Sequence, residues 1–145
     1  MKILKAKKDD FIEIRKLDKL IFKDKTADGE NIWKIWIEYC KVIKAVHNKK
    51  IVSVGLLIPT FKKQLVLHKI FVHPRFQDQK IGEKIMMGLL KNENRPVYLT
   101  VRPINKKAIN LYNRFGFKIL KEIKNYYGKG EDRYLMIKKS KGGKK

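Results

Sequence analysis

The chain has 145 residues, with 36 Lys and Arg against 14 Asp and Glu, and a formal net charge of +22. This length suits one domain with a sizeable core and is short for two. The longest apolar run, Ile51 to Ile58 with Ser53 inside it, is much shorter than a membrane span, and the N-terminus lacks a signal-peptide apolar region. Cys40 is a single cysteine, which excludes an internal disulfide, and the three histidines are scattered. We therefore expect a cytoplasmic protein that holds no metal and has no membrane partner.

The positive charge has two explanations. Clustered cations bind nucleic acid because they displace counterions from phosphates. However, only six of the 36 basic residues are arginines, the type favoured for base readout and bidentate phosphate contacts, and the lysines are spread along the chain. A compositional bias toward Lys explains the charge as well as an RNA, ribosome or acidic-ligand partner does.

Apolar periodicity and turn residues predict the order of elements. The predicted elements are a strand over 2–7, a helix beginning at Asp9 or Asp10, a helix over 30–41, a hairpin of 42–47 and 51–58, a strand over 64–72, a helix over 79–92, a strand over 97–101, a helix over 105–115, and strands over 117–126 and 133–138. This order predicts an α/β (α+β) domain over 1–139, with a mixed, mostly antiparallel sheet of about seven strands flanked by about four helices. The basic tail 140–145 is predicted to be disordered.

The helix over 105–115 has both ends marked in the sequence. Asn105 can accept a hydrogen bond from an otherwise unpaired backbone N–H, and Gly116 can adopt the left-handed conformation that ends a helix. The spacing predicts one buried face made by Ala108, Leu111, Tyr112 and Phe115. A buried Tyr needs a partner or a chemical role for its hydroxyl. An amphipathic helix with an aromatic core residue is the alternative interpretation.

The pattern Asn-x-x-Ala-x-x-Leu-Tyr-x-x-x-Gly-Phe, from Asn105 to Phe117, resembles the closing motif of the GNAT superfamily of acyl-CoA-dependent N-acetyltransferases. The resemblance extends to about Lys139 and is densest from Leu67 to Met136. It implies a single GNAT-like domain with acetyl-CoA as co-substrate and direct attack of a neutral amine on the thioester. It also implies that Tyr112 is the general acid for the coenzyme sulfur and that Asn105 touches the coenzyme.

A second motif follows the strand over 64–72, where a loop after His73-Pro74 leads into a helix. Helix N-termini suit a pyrophosphate because their N–H groups are unpaired. GNAT proteins carry Gln/Arg-x-x-Gly-x-Gly/Ala here; Gln77 and Gly82 match, and Lys80 replaces the central Gly. Lys80 can offer its N–H if its torsions are ordinary, and its ammonium can contact a phosphate. An ordinary strand-to-helix connection is the alternative.

By resemblance, the coenzyme contacts come from the end of the strand and the start of the helix. The Val72 amide would polarise the acetyl carbonyl, and the neighbouring main chain would hold the pantetheine arm. The implied coenzyme-binding residues are Ile70, Phe71, Val72, Gln77, Asp78, Gln79, Lys80, Ile81, Gly82, Glu83 and Asn105.

The ending Asn-Tyr-Tyr…Glu-Asp…Met, from Asn125 to Met136, resembles that of the protein N-terminal acetyltransferase branch, of the ribosomal-protein-alanine type. Adjacent residues of a strand point to opposite faces, so one of Tyr126 and Tyr127 can pack while the other meets a ligand. The resemblance implies that both tyrosines and Phe22 line the groove for the substrate N-terminus. The alternatives are an exposed edge hairpin and a core Phe.

The sequence offers no clear residue for the role of general base. Relatives in this branch carry Glu or His in the strand over 97–101, where this chain has Thr100, whose hydroxyl is no base near neutral pH. His68 is the candidate substitute, because an imidazole of pKa near 6.5 can accept a proton; His73 is a weaker candidate. An α-amine is roughly 10% neutral at pH 7 and a Lys amine well under 0.1%. A weak base therefore favours an N-terminal amine.

Three functions stay open on the sequence. The first is an acetyl-CoA-dependent N-acetyltransferase that acts on the α-amine of a peptide or protein N-terminus, with an association with the ribosome as a further expectation. The second is a GNAT enzyme for a small-molecule amine. The third is a basic RNA- or ribosome-binding module on a degenerate GNAT scaffold. The oligomeric state stays open too.

Overall fold

The computed structural model describes residues 1–140, apart from the side chains of Asp24 and Lys25. Its strands are β1 (Lys2–Lys5), β2 (Lys41–His47), β3 (Lys50–Pro59), β4 (Leu65–Val72), β5 (Val97–Val101), β6 (Lys118–Ile123) and β7 (Arg133–Lys138). Its α-helices are α1 (Phe11–Thr26), α2 (Glu30–Tyr39), α3 (Ile81–Leu90) and α4 (Lys106–Arg114), with short 3-10 turns at Lys8–Asp10 and Pro74–Phe76. The predicted order and fold class are confirmed. Of the predicted tail, 141–145 lie outside the described residues.

The strands form a seven-stranded sheet in the order β1-β2-β3-β4-β5-β7-β6. The pairs β1–β2, β2–β3, β5–β7 and β6–β7 are antiparallel, whereas β4 and β5 are parallel. The β4–β5 register covers Leu65 with Val97 and Val66 with Tyr98. The sheet is therefore mixed and mostly antiparallel, as predicted.

The chain divides into two compact units, and each has its own packing. The first comprises Met1–Ile58 and His68–Glu93, and the second comprises Pro59–Leu67 and the residues from Asn94 onward. In the first unit, Trp33 of α2 is fully buried and its ring lies 6.2 Å from that of Phe71. Trp33 therefore belongs to the core of this unit.

Helix α3 lies close to the β3 backbone in the first unit. A Cβ at Gly55 would come within 2.5 Å of Ile85 Cγ2 and 2.7 Å of Leu89 Cδ1, so only Gly fits there without repacking. Ile85, Met86 and Leu89 are fully buried on this face of α3. The apolar spacing predicted for this helix is therefore confirmed.

Two helix starts differ in detail from the prediction. Asp10 precedes α1 as expected, but its Oδ2 accepts hydrogen bonds from the Lys7 amide and from Lys44 Nζ, each at 2.6 Å, instead of capping the helix. Helix α3 begins at Ile81 rather than at residue 79, because Asp78 and Lys80 both have positive φ angles. Among residues 1–140, each helix is too short or too polar to cross a membrane.

Candidate functional site

Strand β4 separates a packing face from an accessible face. Leu65, Leu67 and Phe71 are buried, whereas His68 and Val72 lie on the opposite face of the strand, and His68 is exposed. His68 and Val72 therefore share one face of β4. The catalytic role of His68 stays a prediction.

The surroundings of His68 favour its neutral form. Its ring centroid lies 5.2 Å from that of Trp36, and the desolvation of the imidazole lowers the pKa of His68, against the opposing effect of the Asp28 charge. A base must be unprotonated before it can accept a proton. The lowered pKa means that His68 meets this condition at neutral pH.

An ion cluster beside His68 has no counterpart in the sequence analysis. Lys69 Nζ lies 2.7 Å from Asp18 Oδ1 and 2.7 Å from Asp28 Oδ2, and it donates to the Thr26 carbonyl at 2.8 Å. Asp18 is completely buried and also accepts from Trp33 Nε1 at 2.8 Å. The hydrogen-bonded pairs are 10 to 51 residues apart, so no local spacing reveals the cluster.

Phe22, predicted to contact the substrate, lies next to this cluster. Its ring packs edge-on against Phe71, with centroids 5.6 Å apart, and Lys69 Nζ lies 4.7 Å from the ring centroid. Phe22 is only partly buried, so its ring is fixed on one side while part of it stays accessible. This arrangement is compatible with both the substrate and the core interpretation.

The loop between β4 and α3 is ordered by its own hydrogen bonds. His73 Nδ1 accepts from the Arg75 amide at 3.1 Å, and the Phe76 ring lies 6.0 Å from the His73 ring. Gln77 Nε2 donates to the Val72 carbonyl at 3.3 Å, so this predicted coenzyme ligand also fixes the end of β4. Because His73 is engaged as an acceptor in this turn, it is the poorer candidate base.

Lys80 has the torsions that the family's Gly would supply. It is the N-cap of α3 with φ 61° and ψ 22°, in the left-handed region, and its side chain makes no capping hydrogen bond. The condition of ordinary torsions is therefore not met. A left-handed L-residue costs roughly 1–2 kcal/mol. The chain thus keeps the Gly backbone geometry at a cost in stability and gains an ammonium beside the helix N-terminus.

In the second unit, helix α4 has the two predicted ends. Asn105 Oδ1 accepts from the Ala108 amide at 3.2 Å, and Gly116 has φ +93° just after the helix. The Asn105 oxygen and main-chain amide are both engaged within the chain, so any coenzyme contact falls to its Nδ2 group. The buried residues of α4 are Ile109 and Tyr112. The buried face is therefore centred closer to Ile109 than the sequence predicted.

Tyr112 is buried, and its ring centroid lies 5.9 Å from that of Phe117. Burial raises the pKa of Tyr112 to about 12. The hydroxyl therefore stays protonated throughout the physiological range and acts as a hydrogen-bond donor. Its predicted role as the acid for the coenzyme sulfur is consistent with this state and stays a prediction.

Thr100 lies on the half-buried face of β5 and shares that face with Tyr98. It pairs with Leu135 of β7 in the antiparallel register. The position predicted for the missing base therefore offers a hydroxyl, as the sequence indicates. Tyr98 was not predicted as a site residue, although the strict alternation of β5 placed it beside Thr100.

The prediction that Tyr126 and Tyr127 lie on a strand is wrong. Strand β6 ends at Ile123, and both tyrosines lie exposed in the turn before β7. Their rings are edge-to-face at 4.7 Å, and the Arg133 guanidinium lies 4.7 Å from the Tyr127 ring centroid. Two adjacent tyrosines here share a surface instead of facing opposite sides of a sheet.

Polar side chains of the same motif explain this turn. Asn125, with φ 55°, accepts from the Gly130 amide at 2.8 Å, and its own amide donates to Asp132 Oδ1 at 2.9 Å. Glu131 contacts Arg133 at 3.2 Å and so holds the guanidinium near Tyr127. The motif therefore builds a rigid turn that presents both tyrosines, a result that a strand periodicity does not predict.

The residues described above offer hydrogen-bond donors, a neutral imidazole and a lysine at a helix N-terminus. In the described part of the chain, no group of three His, Cys, Asp or Glu side chains is arranged to hold a metal ion. The left-handed Lys80 and the α3 N-terminus fit a phosphate-bearing ligand, since both place positive charge at one point.

The comparisons with known proteins define the class. The model of the acetyltransferase (GNAT) family matches residues 9–117, and the chain belongs to this family. It is similar to an N-alpha-acetyltransferase of Sulfurisphaera tokodaii, with 37% identity over 84 residues, which are 54% of this chain and 50% of that protein. The chain thus spans about half the length of this curated relative.

Solved structures agree on the fold. An aminoglycoside 6'-acetyltransferase type Ii has a TM-score of 0.83 at 19% identity, over 96% of this chain and 97% of that one. The ribosomal-protein-S18-alanine N-acetyltransferase of Escherichia coli has a TM-score of 0.80 at 21% identity, over 99% of this chain and 97% of that one. Arabidopsis thaliana Naa50, in complex with the bisubstrate analogue CoA-Ac-MVNAL, has a TM-score of 0.78 at 19% identity, over 94% of this chain and 97% of that one. The fold is therefore that of GNAT proteins with different acceptors.

Because Lys80 has left-handed torsions, we predict that a Lys-to-Gly substitution there changes the free energy of unfolding in the opposite direction from the same substitution inside α3. Lys80→Gly should raise the free energy of unfolding by about 0.5–1 kcal/mol, because Gly adopts this conformation without a Cβ penalty. Lys84→Gly, in the middle of α3, should lower it by about 1 kcal/mol. Urea unfolding of both variants measures the two changes. A similar loss of stability in both would contradict the strain at Lys80.

Proposed function

We propose that this protein is an acetyl-CoA-dependent N-acetyltransferase whose acceptor is the α-amine of a protein N-terminus. The observation that carries the acceptor class is the base: Thr100 cannot take a proton, and His68 is a neutral imidazole with a lowered pKa. Proton transfer to so weak a base is only moderately uphill from an amine of pKa about 7.7–8.0, and it is far more unfavourable from one near 10.4. The similarity to an N-alpha-acetyltransferase supports the same acceptor.

Acetyl-CoA would supply the acetyl group as a thioester. The Val72 amide would donate to the carbonyl oxygen, where negative charge develops during attack. Gln77 supports this role, because its hydrogen bond to the Val72 carbonyl fixes the orientation of the strand end. Lys80 and the N-terminal turn of α3 would hold the phosphates.

Tyr112 would act on the sulfur as a hydrogen-bond donor. With a cysteine thiol of pKa about 8.5 as a guide, complete transfer of the Tyr112 proton would be uphill by roughly 3.5 pKa units, or about 5 kcal/mol. A hydrogen bond to the sulfur while the carbon–sulfur bond breaks stabilises the departing thiolate without that cost. The proton removed from the amine then completes the thiol.

The charge of the protein favours an acidic partner. A net charge of +22 attracts negatively charged peptides and repels polycationic amines over the whole surface. Protein N-termini with acidic residues nearby therefore suit this enzyme better than polyamines. Such a charge would also favour association with the ribosome, where new N-termini emerge.

Acetyl transfer to a peptide panel tests the proposal. The panel varies the first two residues and includes matched peptides with a blocked α-amine and a free Lys side chain, with products identified by mass spectrometry. We expect transfer only to free α-amines, and faster transfer to acidic N-termini at low salt. Transfer to Lys side chains alone, or to aminoglycosides or other small amines alone, would refute the acceptor class.

Tyr112→Phe should lower kcat roughly 100-fold, because it removes a single donor to the developing thiolate. The KM for acetyl-CoA should change little, since the ring that packs on Phe117 is kept. Because the pKa of Tyr112 is about 12, the wild-type rate should show no loss from its ionisation between about pH 7 and about pH 10. Steady-state kinetics measure both, with Tyr39→Phe on the exposed surface of α2 as control. A kcat like that of wild type would remove Tyr112 from the mechanism.

His68→Gln should move the acidic limb of the kcat/KM profile. In the wild type His68 accepts protons above its pKa, which lies below the usual 6.5, so the limb should fall below about pH 6.5. Without His68 only neutral amine reacts, and the limb should move to about pH 7.7–8.0. His47→Gln, at a histidine whose ring lies 5.2 Å from Phe76, is the matched control. An unmoved limb would show that His68 is not the base.

A further inference from the structure

Lys69 joins three segments of the first unit that are remote in sequence. It lies on β4, Asp18 on α1, and Thr26 and Asp28 beside the α1–α2 connection. Asp18 closes the arrangement from the other side, because its Oδ2 accepts from the Asp28 amide at 2.9 Å. The connection between the two helices is thus tied to β4 by both side-chain and main-chain contacts.

The cluster contains one ammonium, from Lys69, and two carboxylates, from Asp18 and Asp28, so it carries one negative charge in excess. The exposure of each side chain indicates where that charge lies. The side chains of Asp18 and Lys69 are 0% and 8% exposed, whereas that of Asp28 is 29% exposed. Asp28 Oδ2, the oxygen that pairs with Lys69, is itself buried, so it is the rest of the Asp28 carboxylate that brings negative charge toward solvent, in a chain whose overall charge is +22. An amine approaches mostly as an ammonium ion, and it meets an attractive charge at this point.

Stability alone is a weak reason for such a cluster. Burying charges is costly, and an apolar replacement of a buried ion pair is often neutral or stabilising. What a cluster of this kind supplies is a defined position for the segments that it joins. Here those segments carry Phe22, whose ring is covered by the Lys69 ammonium, and the strand residue His68 next to Lys69.

We propose that Lys69 is a positioning residue for the acceptor: its ion pairs with Asp18 and Asp28 fix the α1–α2 connection and the Phe22 ring against β4. This inference rests on the proposed function, since it assigns the cluster to acceptor binding. The side chain of Lys69 is 8% exposed, and its ammonium is engaged with Asp18, Asp28 and the Thr26 carbonyl. It acts through Phe22 and Asp28, which are the accessible members.

The chain provides a matched control in Lys44. This lysine is also almost completely buried, and it pairs with Asp10 at 2.6 Å on β2 of the same unit. Asp10 in turn accepts from the Lys7 amide, so this pair ties β2 to the segment between β1 and α1. Lys44→Met removes the same type of contact as Lys69→Met without touching the α1–α2 connection.

The experiment compares Lys69→Met, Lys44→Met and the double variant Asp18→Asn/Lys69→Met in peptide acetylation. The double variant leaves no buried carboxylate of Asp18 unpaired, and it keeps an acceptor for Trp33 Nε1. We therefore expect it to be more stable than the single variant and to fold. We expect the peptide KM to rise roughly tenfold in both Lys69 variants, with kcat and the KM for acetyl-CoA unchanged. Lys44→Met should keep the wild-type KM for both substrates.

Hydrogen exchange gives a readout without turnover. The Asp28 amide, bound to Asp18 in the wild type, should exchange faster in the Lys69 variants and at the wild-type rate in Lys44→Met. A folded double variant with the wild-type peptide KM would overturn the positioning role, as would an equal rise of both KM values. Absence of peptide acetylation by the wild type would instead overturn the proposed function, and the acceptor role of Lys69 with it.

Discussion

The alternation of side chains along β4 is the constraint on which the first unit depends. Because successive residues point to opposite faces, the strand buries Phe71 in the core of this unit and presents His68 and Val72 on the other side. A shift of one residue would exchange the two sets and expose the core. The packing of Phe71 against Trp33 and Phe22 therefore also sets the direction of the residues assigned to chemistry.

Lys69 departs from a purely apolar packing face. It occupies the same side of β4 as Leu67 and Phe71, where a neutral side chain would be usual, and its ammonium is compensated by Asp18 and Asp28. Such compensation is required, because an unpaired charge in this position would cost several kcal/mol. The ion cluster and the aromatic contacts thus act together, and both join the two N-terminal helices to the strand.

The segment that the family resemblance assigns to the coenzyme contains two of the left-handed residues of the chain. Asp78 and Lys80 both have positive φ angles within three residues, directly before α3. Strained torsions persist where the surrounding structure over-determines them, which is common at ligand sites. The hydrogen bonds of Gln77 to Val72 and of Arg75 to His73 supply that support here. The backbone geometry is retained although the glycine is not.

Periodic and capping signals were enough to predict most of the elements from the sequence. The caps of α4, the β2–β3 hairpin with positive φ at Asn48 and Lys49, and the order of strands and helices depend on contacts within a few residues, so local residue types determine them. The motif around Tyr112 likewise indicated the acetyltransferase family, because its residues are contiguous. The roles of the individual site residues stay predictions.

Only the tertiary structure decided the features made by residues far apart in the chain. The contacts of Lys69 with Asp18 and Asp28 join positions up to 51 residues apart, and no spacing encodes them. The turn that holds Tyr126 and Tyr127 depends on hydrogen bonds between Asn125, Gly130 and Asp132, which override the strand propensity of the tyrosines. The shifts in the pKa of His68 and of Tyr112 follow from desolvation by the groups packed around each side chain, which only the folded chain brings together.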